Sequence, residues 1–144
     1  MVSMGNSRNY EIRFGPAWTP TVKFLIISNA VVFLLQTATH LFLNAKILEG
    51  MFALNPNMVN HFYIFQLISY GFLHGDFFHI LFNMLNLWFF GVEIENLWGQ
   101  KRFLTLYFLS IFTGGFLTWL VHNLGFNQYT VLGASGGVFG VMTT

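Results

Sequence analysis

Four polar side chains have types and spacings that could do chemistry together. Ser135 sits in the run Gly133-Ala134-Ser135-Gly136-Gly137, and upstream His74, His79 and Asn83 form a His-x4-His-x3-Asn series. A hydroxyl set among apolar residues must find a hydrogen-bond partner, because hydrocarbon supplies no water. The glycines around it remove side-chain bulk and let a backbone or a substrate approach closely. His79 and Asn83 are four residues apart and so share one face of a helix. A serine beside two such donors has the parts of an acyl-transfer site, a nucleophile and an oxyanion hole, in which each donor contributes about 3 kcal/mol to the transition state. The same glycines also admit a packing reading, since Gly133/Gly137 and Gly136/Gly140 both have small-xxx-small spacing.

The elements that must position these groups are membrane helices. Of the 144 residues, 55% are hydrophobic and 8% charged, against about 25% charged in soluble domains. A net charge of +1 gives no basic footprint for nucleic acid. With no cysteine, disulfides, thiolate metal sites and cysteine nucleophiles are all excluded.

Residues 1–21 form a polar lead with Arg8, Glu11 and Arg13, punctuated by Pro16 and Pro20. Val22 to Leu43 reads as the first span, an uncleaved anchor rather than a signal peptide. Residues 44–71, interrupted by Lys46, Glu49, Asn55, Pro56, Asn57, Asn60 and His61, read as a structured loop with one interfacial helix over Phe62 to Tyr70. Phe77 to Val92 is the second span. A polar turn follows, with Glu93, Glu95, Asn96, Gly99, Gln100, Lys101 and Arg102. Phe103 to Val121 is the third span, where Gly114-Gly115 permits close packing. Asn123 to Thr130 is a loop, and Val131 to Thr144 begins a fourth span. That segment falls short of the about 20 residues a helical span needs, so the chain is expected to be the front part of a longer protein.

Arg8, Arg13, Lys23, Lys101 and Arg102 fall on one side of these spans and Lys46 on the other. The positive-inside rule then puts the N-terminus in the cytoplasm, with His74, His79, Asn83 and Ser135 at a shared depth near the outer face. Asn29 and Gln36 are expected to make interhelical hydrogen bonds worth about 1 kcal/mol each. Asn86 extends the polar stripe of His79 and Asn83 inward. Trp88, Trp98 and Trp119 mark interfaces or helix contacts. Three of His40, His61, His74, His79 and His122 could in principle hold zinc. No His-Glu-x-x-His helix supports that, and only Asp76 offers a carboxylate, so no metal or cofactor is expected.

His74-x4-His79-x3-Asn83 followed by Gly133-Ala134-Ser135-Gly136, with Glu95-x3-Gly99 and the long loop after the first span, resembles the rhomboid family of intramembrane serine proteases. The resemblance runs from about residue 22 to the end. It implies an all-α, polytopic transmembrane helical bundle of six core spans, here truncated within the fourth. Residues 1–21 would be a cytoplasmic lead and 22–144 a partial membrane domain. It further implies a Ser–His dyad that cuts transmembrane-helix substrates near the outer membrane face without a cofactor. Ser135 matches the nucleophile, whose own N–H helps hold the oxyanion, and His79 and Asn83 match the oxyanion-stabilising side chains. His74 matches a position supporting the loop and the active-site water, Glu95 a residue tying the cytoplasmic turn together, and Gly133 and Gly136 the small residues flanking the serine.

Two departures stand out. Phe65-Gln66 occupies the place of a common Trp-Arg pair, which puts the anchoring of that loop in question. The family's general base is a histidine on the sixth span, outside these residues, and a serine without a base is a poor nucleophile. The polypeptide by itself is therefore expected to be inactive, since a local histidine acting as base would have to leave the oxyanion site. The alternative function is a non-catalytic rhomboid-like protein that binds transmembrane clients. A plain scaffold or transporter fragment leaves the three-part spacing unexplained. The expected setting is a multi-pass protein of the cell (inner) membrane, with the lipid bilayer and transmembrane protein substrates as partners.

Overall fold

Capping chemistry sets most helix boundaries. The computed structural model describes residues 15–126 and 131–142. Helix α1 (Pro20–Leu43) starts with proline at its first position and ends where Asn44 turns left-handed, φ 48°. Three short helices follow: α2 (Ile47–Phe52), α3 (Pro56–Asn60) and α4 (Gln66–Ser69), the last continuing into a 3-10 turn over Tyr70–Phe72. Asn55 caps α3 by accepting from the Asn57 N–H at 3.0 Å. Helix α5 (Phe77–Trp98) is capped by Asp76, whose Oδ1 accepts from the His79 N–H at 2.9 Å. Gly99, at φ 79°, separates α5 from α6 (Gln100–Asn123), a turn that a side chain would strain. The short α7 (Ser135–Met142) closes the series.

Among the described residues, α1, α5 and α6 are long and apolar enough to cross a membrane. At about 1.5 Å per residue each exceeds the about 30 Å hydrocarbon core. Their outer faces carry bare apolar side chains such as Phe24, Leu34, Phe42 and Phe82, which lipid solvates. Helix α5 packs against α1, α6 and α7, and α7 lies along α6. The shared core holds Val22 and Leu25 of α1, Leu87 and Val92 of α5, Phe103, Tyr107 and Ile111 of α6, and Val138 and Val141 of α7. Lipid removes the hydrophobic drive between helices, so van der Waals contact at close range must hold them. The small residues of α7 supply it. A Cβ on Gly137 would stand 2.7 Å from Tyr107 Cε2, and one on Gly140 would run into Ser110.

Several boundaries differ from the sequence reading. The single interfacial helix expected over Phe62–Tyr70 is instead α3, a reversal through Phe62 at φ 71°, then α4 and the 3-10 turn. The second span does not stop at Val92; Glu93, Glu95 and Asn96 lie within α5, and the turn narrows to Gly99. Lone carboxylates near a helix end read as a polar turn, yet a buried partner lets the helix continue past them. The last helix begins at Ser135, not Val131. Residues 131–134 are not helical: Val131 is bridged to Leu54, and Gly133 at φ 123° cannot join a helix. The polar lead through residue 14, residues 127–130 of the last loop and residues 143–144 lie outside the described residues. Asn29 Nδ2 donates to Leu25 O of its own helix while its side chain also engages Tyr107 of α6, as expected between spans. Gln36 instead bonds to Glu49 and to the His74 backbone, outside the spans.

Candidate active site

The Asp76 cap places His79 in the first turn of α5 and Asn83 one turn further along the same face. The Gly75 N–H points at His79 Nδ1 across 3.4 Å. A ring nitrogen that accepts carries no proton, so neutral His79 bears its proton on Nε2 and donates from there. That edge of the ring lies over Gly133, where an added Cβ would stand 2.6 Å from both Nε2 and Cε1. Gly133 is thus required twice, for its positive φ and for the imidazole's close approach. Asn83 is buried, at 7% exposure, and among the described residues its Nδ2 has no hydrogen-bond partner.

Ser135 opens α7, half-buried, two residues beyond the glycine under His79. The segment leading to it is pinned from two sides. Val131 and Leu54 exchange backbone hydrogen bonds, both 2.9 Å, and the Gly133 N–H donates to Tyr70 O at 2.9 Å. Tyr70 in turn donates its hydroxyl to Ile111 O at 2.8 Å, and a Cβ on Gly136 would meet that hydroxyl at 3.1 Å. Burial pushes the Tyr70 phenol up to about 12, so it serves as a neutral donor. Tyr70 ties the loop, α6 and the serine segment into one frame.

His74 lies just before α5, 2% exposed, and among the described residues its ring has only the Phe72 backbone as a polar neighbour besides His79 and Asp76. Its ring stands edge-on to that of His79, with centroids 5.2 Å apart. Burial, reinforced by the His79 imidazole, pushes its pKa down to about 4, so the ring is neutral at neutral pH. Gln36 of α1 grips its backbone. The His74 N–H donates to Gln36 Oε1 at 3.1 Å, and Gln36 Nε2 donates to His74 O at 3.2 Å and to Glu49 Oε1 at 2.7 Å. His40 Nε2 stands 2.9 Å from the same Glu49 oxygen. Burial alone would raise the Glu49 pKa, but the bonds from Gln36, its own backbone and His40 hold it below the usual carboxylate range.

The structure therefore brings His74, His79 and Gly133 together, with Asn83 on the same helix face and Ser135 and Gly136 at the adjoining start of α7. Glu95 is elsewhere, at the far end of α5. Its carboxylate accepts from Thr19 Oγ1, from the Thr21 N–H at 3.1 Å and from the Val22 N–H at 3.0 Å. It caps α1 rather than tying a turn. His61 Nδ1 is 2.8 Å from Asn57 O, and His122 Nε2 is 3.2 Å from Asn57 Oδ1, both away from His79. Asn86 is half-buried.

Sequence reasoning missed Tyr70, Leu54, Asp76 and the loop-binding role of Gln36. Only Asp76, three residues before His79 at a helix start, carries a local signal, that of an N-cap. The loop anchor left open at Phe65-Gln66 is Gln66 itself. Buried at 1% exposure, it accepts from the Asn55 N–H and donates to Met51 O, both at 3.0 Å.

Comparison with known proteins follows the same residues. The family model for the Rhomboid domain matches residues 61–144. "RHOMBOID-like protein 1" of Arabidopsis thaliana is 38% identical over 96 residues, covering 66% of this chain and 24% of that protein. "Rhomboid protease GluP" of Bacillus subtilis is 28% identical over 124 residues, 85% of this chain and 24% of its own length. "Putative rhomboid protease YdcA" of Bacillus subtilis is 36% identical over 76 residues, 53% of this chain and 37% of that protein. The chain thus spans only a minor part of the curated relatives it matches.

Proposed function

Because the chain belongs to the rhomboid family of membrane proteins, we propose that it contributes the nucleophile and oxyanion site of an intramembrane serine endopeptidase. The Ser135 hydroxyl attacks the scissile carbonyl of a transmembrane helix that has unwound into the site. Its proton passes to a base, and the carbonyl oxygen becomes an oxyanion. His79 Nε2–H, the Asn83 Nδ2 amide and the Ser135 backbone N–H at the start of α7 stabilise that charge, which is a donor set preorganised for the transition state. Breaking the C–N bond sends the base's proton to the leaving amine. A water then hydrolyses the acyl-enzyme and regenerates Ser135. The base in this reading is a histidine of the protein's later spans.

The observation that carries the reading is the Nε2 edge of His79 lying over Gly133, two residues from Ser135. With Nδ1 facing the Gly75 N–H, His79 is a donor and not a base. Asn83 Nδ2, without a partner among the described residues, and the sparsely bonded His74 ring fit a pocket that takes up water or a substrate carbonyl. Lys23, Lys101 and Arg102 lie at the opposite end of the helices, which supports a site near the outer face with the N-terminus in the cytoplasm. Ser135→Ala in the full-length protein, assayed in proteoliposomes against a transmembrane substrate, is expected to reduce kcat by about 10⁵–10⁶-fold. Cleavage that survives this substitution overturns the proposal.

A further inference from the structure

Gln36 is a primary amide buried in the middle of an apolar helix, where it costs stability unless bonded. A leucine would fill much of the same volume without that cost. All its polar atoms point out of α1 toward the segment ahead of α5. The peptide unit it grips matters most. His74 C=O and Gly75 N–H belong to one planar group. Gln36 Nε2 donates to the oxygen at 3.2 Å, and the N–H on the other side faces His79 Nδ1 at 3.4 Å. Donation to a carbonyl polarises the amide and strengthens its N–H as a donor. The second Gln36 hydrogen bond, to Glu49 Oε1, fixes the orientation of the Gln36 amide, because a carboxylate accepts only from the NH2 side.

Resting on the oxyanion role given to His79 above, we propose that Gln36 is a positioning residue for that histidine. It holds the plane of the His74–Gly75 peptide, and that plane decides which His79 nitrogen carries the proton. With Gln36 in place the Gly75 N–H saturates Nδ1 and leaves Nε2–H to face Gly133. Without it the peptide can rotate, Nδ1 competes for the proton, and a fraction of the rings present a lone pair where a donor is needed.

The test uses the full-length protein with ¹⁵N-labelled histidine, because imidazole nitrogen shifts distinguish the two neutral tautomers whether or not the protein cleaves anything. Wild type is expected to show His79 as the single Nε2–H tautomer. Gln36→Leu should show a mixture, and kcat should fall about tenfold to a hundredfold with KM within about twofold, as expected for a slightly misplaced catalytic group. Gln36→Glu combined with Glu49→Gln keeps a 36–49 bond and the acceptor for the His74 N–H, replaces the donor to His74 O with a carboxylate oxygen, and leaves His40 an amide in place of its carboxylate. It is expected to fold and still give the mixed tautomer, so it decides the matter should Gln36→Leu fail to fold. A single Nε2–H tautomer in the double variant, or a kcat within about twofold of wild type, overturns the proposal. If wild type does not cleave, or Ser135→Ala does, the protease reading fails and the tautomer alone judges Gln36.

Discussion

At its Trp98 end, α5 presents a buried carboxylate with both oxygens in use: Glu95 accepts from Thr19, Thr21 and Val22 and so caps the start of α1. At its Phe77 end, about 27 Å from Glu95 along the helix axis, some buried polar atoms are left open. Among the described residues Asn83 Nδ2 has no hydrogen-bond partner, and the His74 ring has little beyond the Phe72 backbone. An unmade buried hydrogen bond costs about 1–3 kcal/mol, so a fold carries few such groups; Trp88 Nε1 and Glu49 Oε2 are others among the described residues. The Glu95 end joins helices, and in the function proposed above the other end is where a substrate or water completes the bonding. The polar clusters at the two ends of this helix differ in whether their bonds are already made.

The largest effect that would sharpen this contrast is at Asn83. Asn83→Ala is expected to lower kcat by about 10²–10³-fold, as for an oxyanion donor. Its thermal midpoint should not fall in proportion, because the removed Nδ2 has no hydrogen bond to lose among the described residues. A large loss of midpoint with normal kcat would make Asn83 another joint and erase the contrast. Glu95→Ala should do the reverse. It strands the Thr21 and Val22 N–H groups, so stability drops by roughly 3 kcal/mol while kcat per folded molecule holds. Denaturation midpoints in detergent, read beside active-site titration, separate the two.

The smallest effect is the pH response of His74. Its folded pKa of about 4 lies below the ordinary histidine value, near 6.5, so below about pH 6.5 the unfolded chain takes up a proton that the fold refuses. Stability is therefore full above about pH 6.5 and is lost as pH falls toward about 4. Glu49, held below the usual carboxylate range, adds a loss in the same direction at the acid end of that window. Thermal midpoints measured between about pH 7 and 4.5 should decline, and His74→Asn should flatten most of that decline. An equal slope in the variant would mean the buried ring is not what titrates.

Much of the open end was legible along the chain. His79 and Asn83 announce themselves by their spacing on one helix face, and Gly133 and Ser135 by small residues around a hydroxyl. The saturated end was legible only as a glutamate near a glycine, and its placement in a turn was wrong. The partners of Glu95 lie 73 to 76 residues earlier, and no local pattern encodes a bond over that separation. The same holds for Gln36, whose bonds to His74 cross 38 residues, and for Gln66, whose anchoring of the loop replaces a pair expected to be aromatic and basic.

Composition and hydrophobic run length by themselves determined a membrane-spanning helical bundle, because backbone polar groups in lipid must be satisfied within each helix. Residue spacing by itself put His79 and Asn83 on one helix face. Only the tertiary structure decided that residues 131–134 stay out of the helix, that Tyr70 and Leu54 pin them, and that His79 faces Gly133 with Nε2. Those outcomes depend on hydrogen bonds between distant segments and on contacts that exist only after the helices have packed. A linear pattern carries the periodicity of one helix, but not the geometry between two.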